Sequence, residues 1–357
     1  MLDFQLQRVG ILMEPQPGNK HEVEGVLNPG VARGHDGQLY IFPRMVAAGN
    51  YSRIGIARVI FNKDGDPEGV ERLGIALEPE TEYERRPGGG GGCEDPRISY
   101  VEALGHYTMS YTAFSPRGPR IALAVSEDLF HWRRLGLVSF EPYDGIEFEG
   151  VDNKDSSVFP GVIPDPSGRP AFAILHRPLF PGTRPEEKAE DGTQVQDLHR
   201  ESIWISYRDR DLSKGSRYGL GHFTYHRRLA APEAPWEVLK IGCGAPPILT
   251  NLGWLLIYHG VSELSSLAPG VRDLCYSAGV MVLAKDKPHE ILYRSPKPIL
   301  RPELPEEIGG VINDVVFPTG VDRRDDIGQP DRVDVYYGMA DNRIGVARLK
   351  VPDRLPK

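Results

Sequence analysis

The sequence predicts an all-β fold, a five-bladed β-propeller, on three observations. Helical periodicity is scarce, and apolar residues fall in short alternating or continuous runs bounded by glycine, proline, aspartate or asparagine. The 40 glycines and 32 prolines among 357 residues are many and point to frequent turns. A unit also recurs five times: a polar or proline-containing entry, a short apolar strand, a turn with Gly and Asp, an aromatic-rich strand, and a strand of small residues. Such a small antiparallel sheet cannot bury both faces alone, so neighbours must stack around an axis. A large β-sandwich or barrel is the alternative.

The first unit runs from Asn28-Pro29-Gly30 through the turn His35-Asp36-Gly37 to strands at 39–44 and 52–57. The second begins at Asp95-Pro96-Arg97, crosses Leu104-Gly105-His106, and continues through 107–111 and 121–126 to an outer strand and turn at 128–132. The third opens at Lys154-Asp155-Ser156, turns at Asp165-Pro166-Ser167-Gly168, and takes 171–178 and 202–208. The fourth opens at Gly244-Ala245-Pro246-Pro247 and holds 254–260 and 275–283. The fifth runs from Asn313-Asp314 through 334–341 to 344–347. Residues 1–357 are expected as a single catalytic domain, with an inserted, charge-rich loop at 181–196.

A net charge of −8 disfavours nucleic acid or an anionic membrane as the main partner, so any anion site must be local. Cys93, Cys243 and Cys275 form no Cys-x-x-Cys pair and leave an odd thiol, which suits a reducing, cytoplasmic setting. Residues 1–10 lack a basic start and a long apolar run, so neither signal peptide nor membrane span is expected.

Chemistry concentrates around residues 88–97. The glycines from Gly88 read as a flexible connector, whereas Glu94-Asp95-Pro96-Arg97 sets two carboxylates and a guanidinium on one stiff turn. Pro96 is expected to push Asp95 toward an extended conformation, holding an acid still at a strand entrance. Entry strands of a propeller converge on its axis, which would gather Asn28, Arg44, Arg53, Asp95, Lys154, Asp155, Arg177, Lys240, His259 and Asp341. Arg44 and Arg177 end apolar strands, as surface arginines do, yet their planar forks also suit phosphate or carboxylate. His259 alone reads more naturally as a core histidine.

The glycine run lacks the Lys-Ser/Thr of a P-loop, no Gly-x-Ser-x-Gly elbow is present, and the histidines have no metal spacing. No metal is expected, and Cys93 reads as a small packed residue. Carboxylates remain, which points to glycoside chemistry, where an acid protonates the departing oxygen. Hydrolysis also needs a carboxylate to activate water; attack by phosphate does not.

Five blocks then carry a family resemblance: Gly92-Cys93-Glu94-Asp95-Pro96-Arg97-Ile98, Leu175-His176-Arg177-Pro178, Gly244-Ala245-Pro246-Pro247-Ile248, Gly253-Trp254 through His259-Gly260-Val261, and Tyr337-Gly338-Met339-Ala340-Asp341. In order and across nearly the whole chain, they resemble glycoside hydrolase family 130, the β-mannoside phosphorylases and related β-mannosidases. The resemblance implies a five-bladed propeller with Asp95 as general acid, acting through the 3-hydroxyl of bound mannose. It implies phosphate among Arg44, Arg53, Lys154, Arg177, Lys240, His259 and Tyr276, with Asn28 and Asp341 on sugar hydroxyls. Glu94, Arg97 and Asp155 are counted with the substrate-binding set. Inorganic phosphate would be the co-substrate, with no cofactor, and the partner a mannose-containing oligosaccharide; a homo-oligomer is left open.

The expected reaction is inverting phosphorolysis of a β-mannoside to α-mannose 1-phosphate and a shortened acceptor. An inverting β-mannosidase, with Glu94, Asp155 or Asp314 as base, and a non-catalytic sugar-binding propeller are the alternatives. Tyr111, Tyr258 and Tyr337 are expected to be able to stack on sugar under any of these.

Overall fold

The computed structural model describes residues 4–181, 198, 200–210, 220–264 and 273–356. The fold is all-β, as expected, and helix among the described residues is limited to short turns such as Pro305–Ile308. From residue 182 onward the expected loop at 181–196 lies outside the described residues.

The long strands fall into antiparallel groups taken in chain order, the first two joined into one eight-stranded sheet by a short parallel pairing of Tyr51 and Ser52 with Gly91 and Gly92. The first group is Gly25–Arg33, Leu39–Ala47, Tyr51–Phe61 and Pro67–Leu77; the second is Gly91–Val101, His106–Ser115, Gly118–Ser126 and Arg133–Leu137. A third holds Asp152–Val158, Pro170–Leu179, Ile203–Asp209 and Tyr225–Ala230, and a fourth Lys240–Cys243, Gly253–Leu264, Asp273–Leu283 and Ile291–Arg294. The terminal group is Val316–Arg324, Gln329–Met339 and Arg343–Lys350, completed by the N-terminal strand Leu6–Met13. The repeat pattern contains no hint of that last pairing, because its two strands lie at opposite ends of the chain.

Apolar clusters lie between successive groups. Phe42 and Ile54 pack with Ile98 and Met109; Leu123 with Val158 and Phe172; Leu175 and Ile205 with Leu256 and Met281. Ile257 and Val280 then meet Val335 and Leu349, and Val26 and Ile41 meet Tyr336 and Val346. Packing therefore passes from group to group and returns to the first. Inner strands such as His106–Ser115 are covered on both faces, which explains their continuous burial. A buried ion network adds to the last contact: Asp334 accepts from Arg324 (2.8 Å) and Arg332 (3.0 Å), and Arg332 and Arg348 also reach Asp66 of the first group (2.9 and 2.5 Å).

Glutamates under the loops between groups form a second repeat. The Tyr111, Tyr258 and Tyr337 hydroxyls donate to Glu84, Glu237 and Glu307 at 2.5, 2.7 and 2.9 Å. Arg134, Arg294 and Arg8 donate to the same carboxylates, which also cap loop amides such as Thr81, Ala234 and Leu304. These tyrosines are at most 1% exposed, which corrects the expectation that they stack on sugar.

The glycine run is likewise no loose connector. Gly88, Gly89, Gly90 and Gly92 all have left-handed φ, and the Gly90 and Gly91 amides donate to the Gly49 and Asn50 carbonyls at 2.8 and 3.1 Å. A Cβ on Gly89 or Gly92 would overlap the carbonyl oxygen of Gly49 or Ser52. Backbone approach this close admits only glycine. Gly92→Ala, at φ +121° against the Ser52 carbonyl, is expected to cost at least about 3 kcal/mol of stability, whereas Gly88→Ala, at φ +92° with open space, costs about 1 kcal/mol. Urea unfolding of the two variants compares them; equal losses would contradict the packing account.

Candidate active site

The site is set by one backbone irregularity made three times. In the opening strands of the first three groups the ladder runs Leu27↔Arg44 to Gly30↔Phe42, Glu94↔Thr112 to Arg97↔Ser110, and Lys154↔Arg177 to Ser157↔Leu175. Each opening strand thus carries one residue more than its partner, a β-bulge, which re-aims a side chain. The bulges hold Asn28, Asp95 and Asp155 at φ 43°, 49° and 53°. Asn and Asp tolerate this left-handed region better than other side-chain-bearing residues. Asp95 is thus not extended, as its proline neighbour predicts; the bulge and the bonds to its carboxylate and carbonyl outweigh that preference. Asp341, at φ 50°, follows the strand Gln329–Met339 of the terminal group.

Asp95 stands in a cluster of its own. Its Oδ1 accepts from Asn28 Nδ2 at 2.9 Å and from Arg44 Nη1 at 3.3 Å. Arg44 Nη2 donates to Glu94 Oε1 at 2.9 Å, and its Nε to Ser52 Oγ at 2.9 Å. Burial, opposed by Arg44 and reinforced by Asp95, raises the Glu94 pKa. Burial also pushes the Asp341 carboxyl up to about 6, against the pull of Arg44 and with the repulsion of Asp95. Asn28, Arg44, Glu94, Asp95 and Asp341 are therefore in one electrostatic neighbourhood.

A second cluster centres on Asp155, which is 1% exposed. Its Oδ2 accepts from Arg177 Nε at 2.6 Å and lies 3.5 Å from His259 Nε2; its Oδ1 lies 3.6 Å from Arg97 Nη2. Burial would raise its pKa, but Arg177, His259, Arg97 and Lys154 outweigh that and hold it well below the usual range. Arg177 also pairs with Glu201. Burial lowers His259 to about 3, so its ring is neutral near pH 7. Among the described residues neither ring nitrogen has a hydrogen-bond partner, and the ring lies on Phe317 with centroids 4.3 Å apart. Lys240 lies 5.5 Å from the Tyr276 ring centroid and is lowered to about 8 by burial and Arg177. Gly242 keeps the space open: a Cβ there would overlap Asp155 Oδ2 and His259.

Two expected sugar contacts turn inward. Arg97 is 1% exposed and donates to the carbonyls of Asp95 (2.8 Å), Gly244 (3.1 Å) and Cys243 (3.2 Å). It braces the acid from behind and ties the second group to the fourth, while Asp155 is enclosed by its cations. Arg53 joins neither cluster: its Nε donates to Glu78 at 3.0 Å and its guanidinium lies over Tyr51. Ser52, Glu201 and Gly242 escaped sequence reading. The close approach at Gly242 leaves no local mark, and Glu201 stands just before the 202–208 strand with nothing in its neighbours to single it out.

Residues 6–355 match the model of glycoside hydrolase family 130, described as beta-1,4-mannooligosaccharide phosphorylase. The chain belongs to this family. This family 130 chain is similar to a 1,2-beta-oligomannan phosphorylase of Thermoanaerobacter sp. strain X514, with 32% identity over 349 residues, 96% of this chain and 95% of that protein. A beta-1,2-mannobiose phosphorylase of the same strain is 32% identical over 262 residues, 72% of this chain and 67% of that one. Among solved structures, the beta-1,2-mannobiose phosphorylase of Listeria innocua in complex with beta-1,2-mannobiose superposes with TM-score 0.70, 23% identity, and 98% and 97% coverage of the two chains. At that identity the likeness speaks to fold alone.

The raised Asp341 pKa makes a linkage prediction. Protonated Asp341 favours the folded chain, so this stability is fully present below its ordinary 3.8 and is lost as pH rises through about 6. Asp341→Asn, which resembles the protonated form, is expected to stabilise by on the order of 2 kcal/mol at pH 8 and negligibly at pH 3. Denaturant unfolding at both values measures it; a gain that does not depend on pH contradicts the assignment.

Proposed function

We propose that this chain is an inverting phosphorylase that cleaves a β-mannoside with inorganic phosphate, releasing α-mannose 1-phosphate and a shortened acceptor. The observation that carries the reading is the buried His259, whose ring nitrogens have no hydrogen-bond partner among the described residues, beside Arg177 and near Lys240 and Tyr276. Buried polar atoms of this kind call for a partner, and a phosphate oxygen accepts from imidazole, guanidinium, ammonium and phenol alike. Lys154 adds positive charge to the same region. Asp155 orients Arg177 and, held ionised by its cations, is a poor base for water.

Mannose sits between the two clusters, its hydroxyls on Asn28 and Asp341. Asp95 Oδ1 is engaged by Asn28 and Arg44, which leaves Oδ2 to carry the proton. That proton passes through the sugar 3-hydroxyl to the glycosidic oxygen as the bond to the acceptor breaks. A phosphate oxygen forms the new bond on the opposite face of the anomeric carbon, so the configuration inverts. No other cofactor is required. The circular order of packing supports five blades around an axis in one domain, and the names of the relatives favour a β-1,2 linkage.

Incubation with β-1,2- and β-1,4-mannobiose, with and without phosphate, tests the reading: mannose 1-phosphate forms only with phosphate, and sugar release without it overturns the proposal. In the same assay Asp95→Asn should lower kcat by about a thousandfold. Arg177→Ala should raise the KM for phosphate by at least about tenfold, as loss of a charge-assisted contact does.

A further inference from the structure

Lys240 opens the strand Lys240–Cys243 and pairs across with Val261, while Gly242 pairs with His259. Side chains two apart on a strand leave by the same face. A Cβ on Gly242 would meet Asp155 Oδ2 and the His259 ring, so Lys240 is directed toward the second cluster. Its ammonium lies 5.5 Å from the centroid of Tyr276, whose ring stands beside that of His259 at 6.1 Å, and it feels the charges of Arg177 and Asp155.

The company of this amine sets it apart. The acids nearby, Asp155 and Glu201, are both engaged by Arg177. Lys154, the other amine of the region, is placed differently, among the charges of Glu94, Asp155 and Asp341. Burial and Arg177, opposed by Asp155, lower Lys240 to about 8, so part of this half-buried amine is neutral and nucleophilic near neutral pH. On the phosphorylase reading, on which this inference rests, Arg177 and His259 hold a phosphate. The same donors suit the phosphoryl end of a small phosphate anhydride. In an acyl phosphate the carbonyl carbon stands a single oxygen from phosphorus, so a phosphoryl group between Arg177, His259 and Lys240 brings that carbon to the amine.

We propose that Lys240 is a site of self-acylation by small acyl phosphates, which Arg177 and His259 hold by the phosphoryl group. The amine attacks the carbonyl carbon, the C–O bond to phosphate breaks with its electron pair leaving on phosphate, and the amine proton passes to solvent. The products are Nε-acyl-Lys240 and inorganic phosphate. The acylated side chain has lost its charge and adds bulk to the anion site, so phosphate binds more weakly and phosphorolysis slows.

Acetyl phosphate treatment, followed by peptide mass spectrometry at low conversion, tests the site. Lys240 is expected to be acetylated at least about tenfold faster than the exposed Lys20, Lys63 and Lys297. Inorganic phosphate is expected to suppress labelling at Lys240 and not at those three, and Arg177→Ala to slow labelling at Lys240 alone. The acetylated protein should show a KM for phosphate raised about tenfold, with the KM for mannobiose unchanged. A Lys240 no faster than the exposed lysines, or one that phosphate fails to protect, would overturn the proposal. Labelling needs no turnover: sugar release without phosphate sinks the phosphorylase reading, and protection of Lys240 by phosphate still decides this site.

Discussion

An extra residue in an antiparallel ladder cannot keep its side chain in the alternating pattern of its neighbours. The strand must turn locally, and a left-handed residue allows this with least distortion. Asn28, Asp95 and Asp155 occupy that position in three successive groups. The bulge therefore delivers three polar side chains away from the apolar packing that fills the strands around them. Neighbouring side chains brace two of these positions: Arg44 and Arg97 hold Asp95 at its carboxylate and its carbonyl, while Arg177 and His259 surround Asp155.

Two opposed electrostatic arrangements result. Around Asp95 the carboxylates Glu94 and Asp341 crowd one guanidinium, and both have raised pKa values. Around Asp155, Arg97, Arg177 and Lys154 outnumber Asp155 and Glu201, and the Asp155 pKa is lowered. An excess of acid beside an excess of cations is the division that proton donation and anion binding require. In a chain of net charge −8 the cations of this cluster are gathered locally, as an anion site requires.

Much of this was legible because local chemistry recurs. The Asn-Pro and Asp-Pro entries mark two of the bulges, and the aromatic and small-residue runs mark the inner strands. Legibility failed where a residue's role depends on a partner far away in sequence. Tyr111, Tyr258 and Tyr337 look like sugar platforms until buried glutamates claim their hydroxyls. Gly89 and Gly92 look like slack until the Gly49 and Ser52 carbonyls are found against them. Arg97 reads as a ligand contact until its donors meet carbonyls of the fourth group.

By itself the sequence determined the all-β class and the family, and it marked Glu94-Asp95-Pro96-Arg97 and the strand-end arginines as candidates, since each rests on residue type and short-range spacing. Only the tertiary structure decided which charges share a neighbourhood, which are turned inward, and how Leu6–Met13 pairs with Arg343–Lys350. Those are outcomes of packing between distant segments, where a buried charge is tolerated only beside its particular partner.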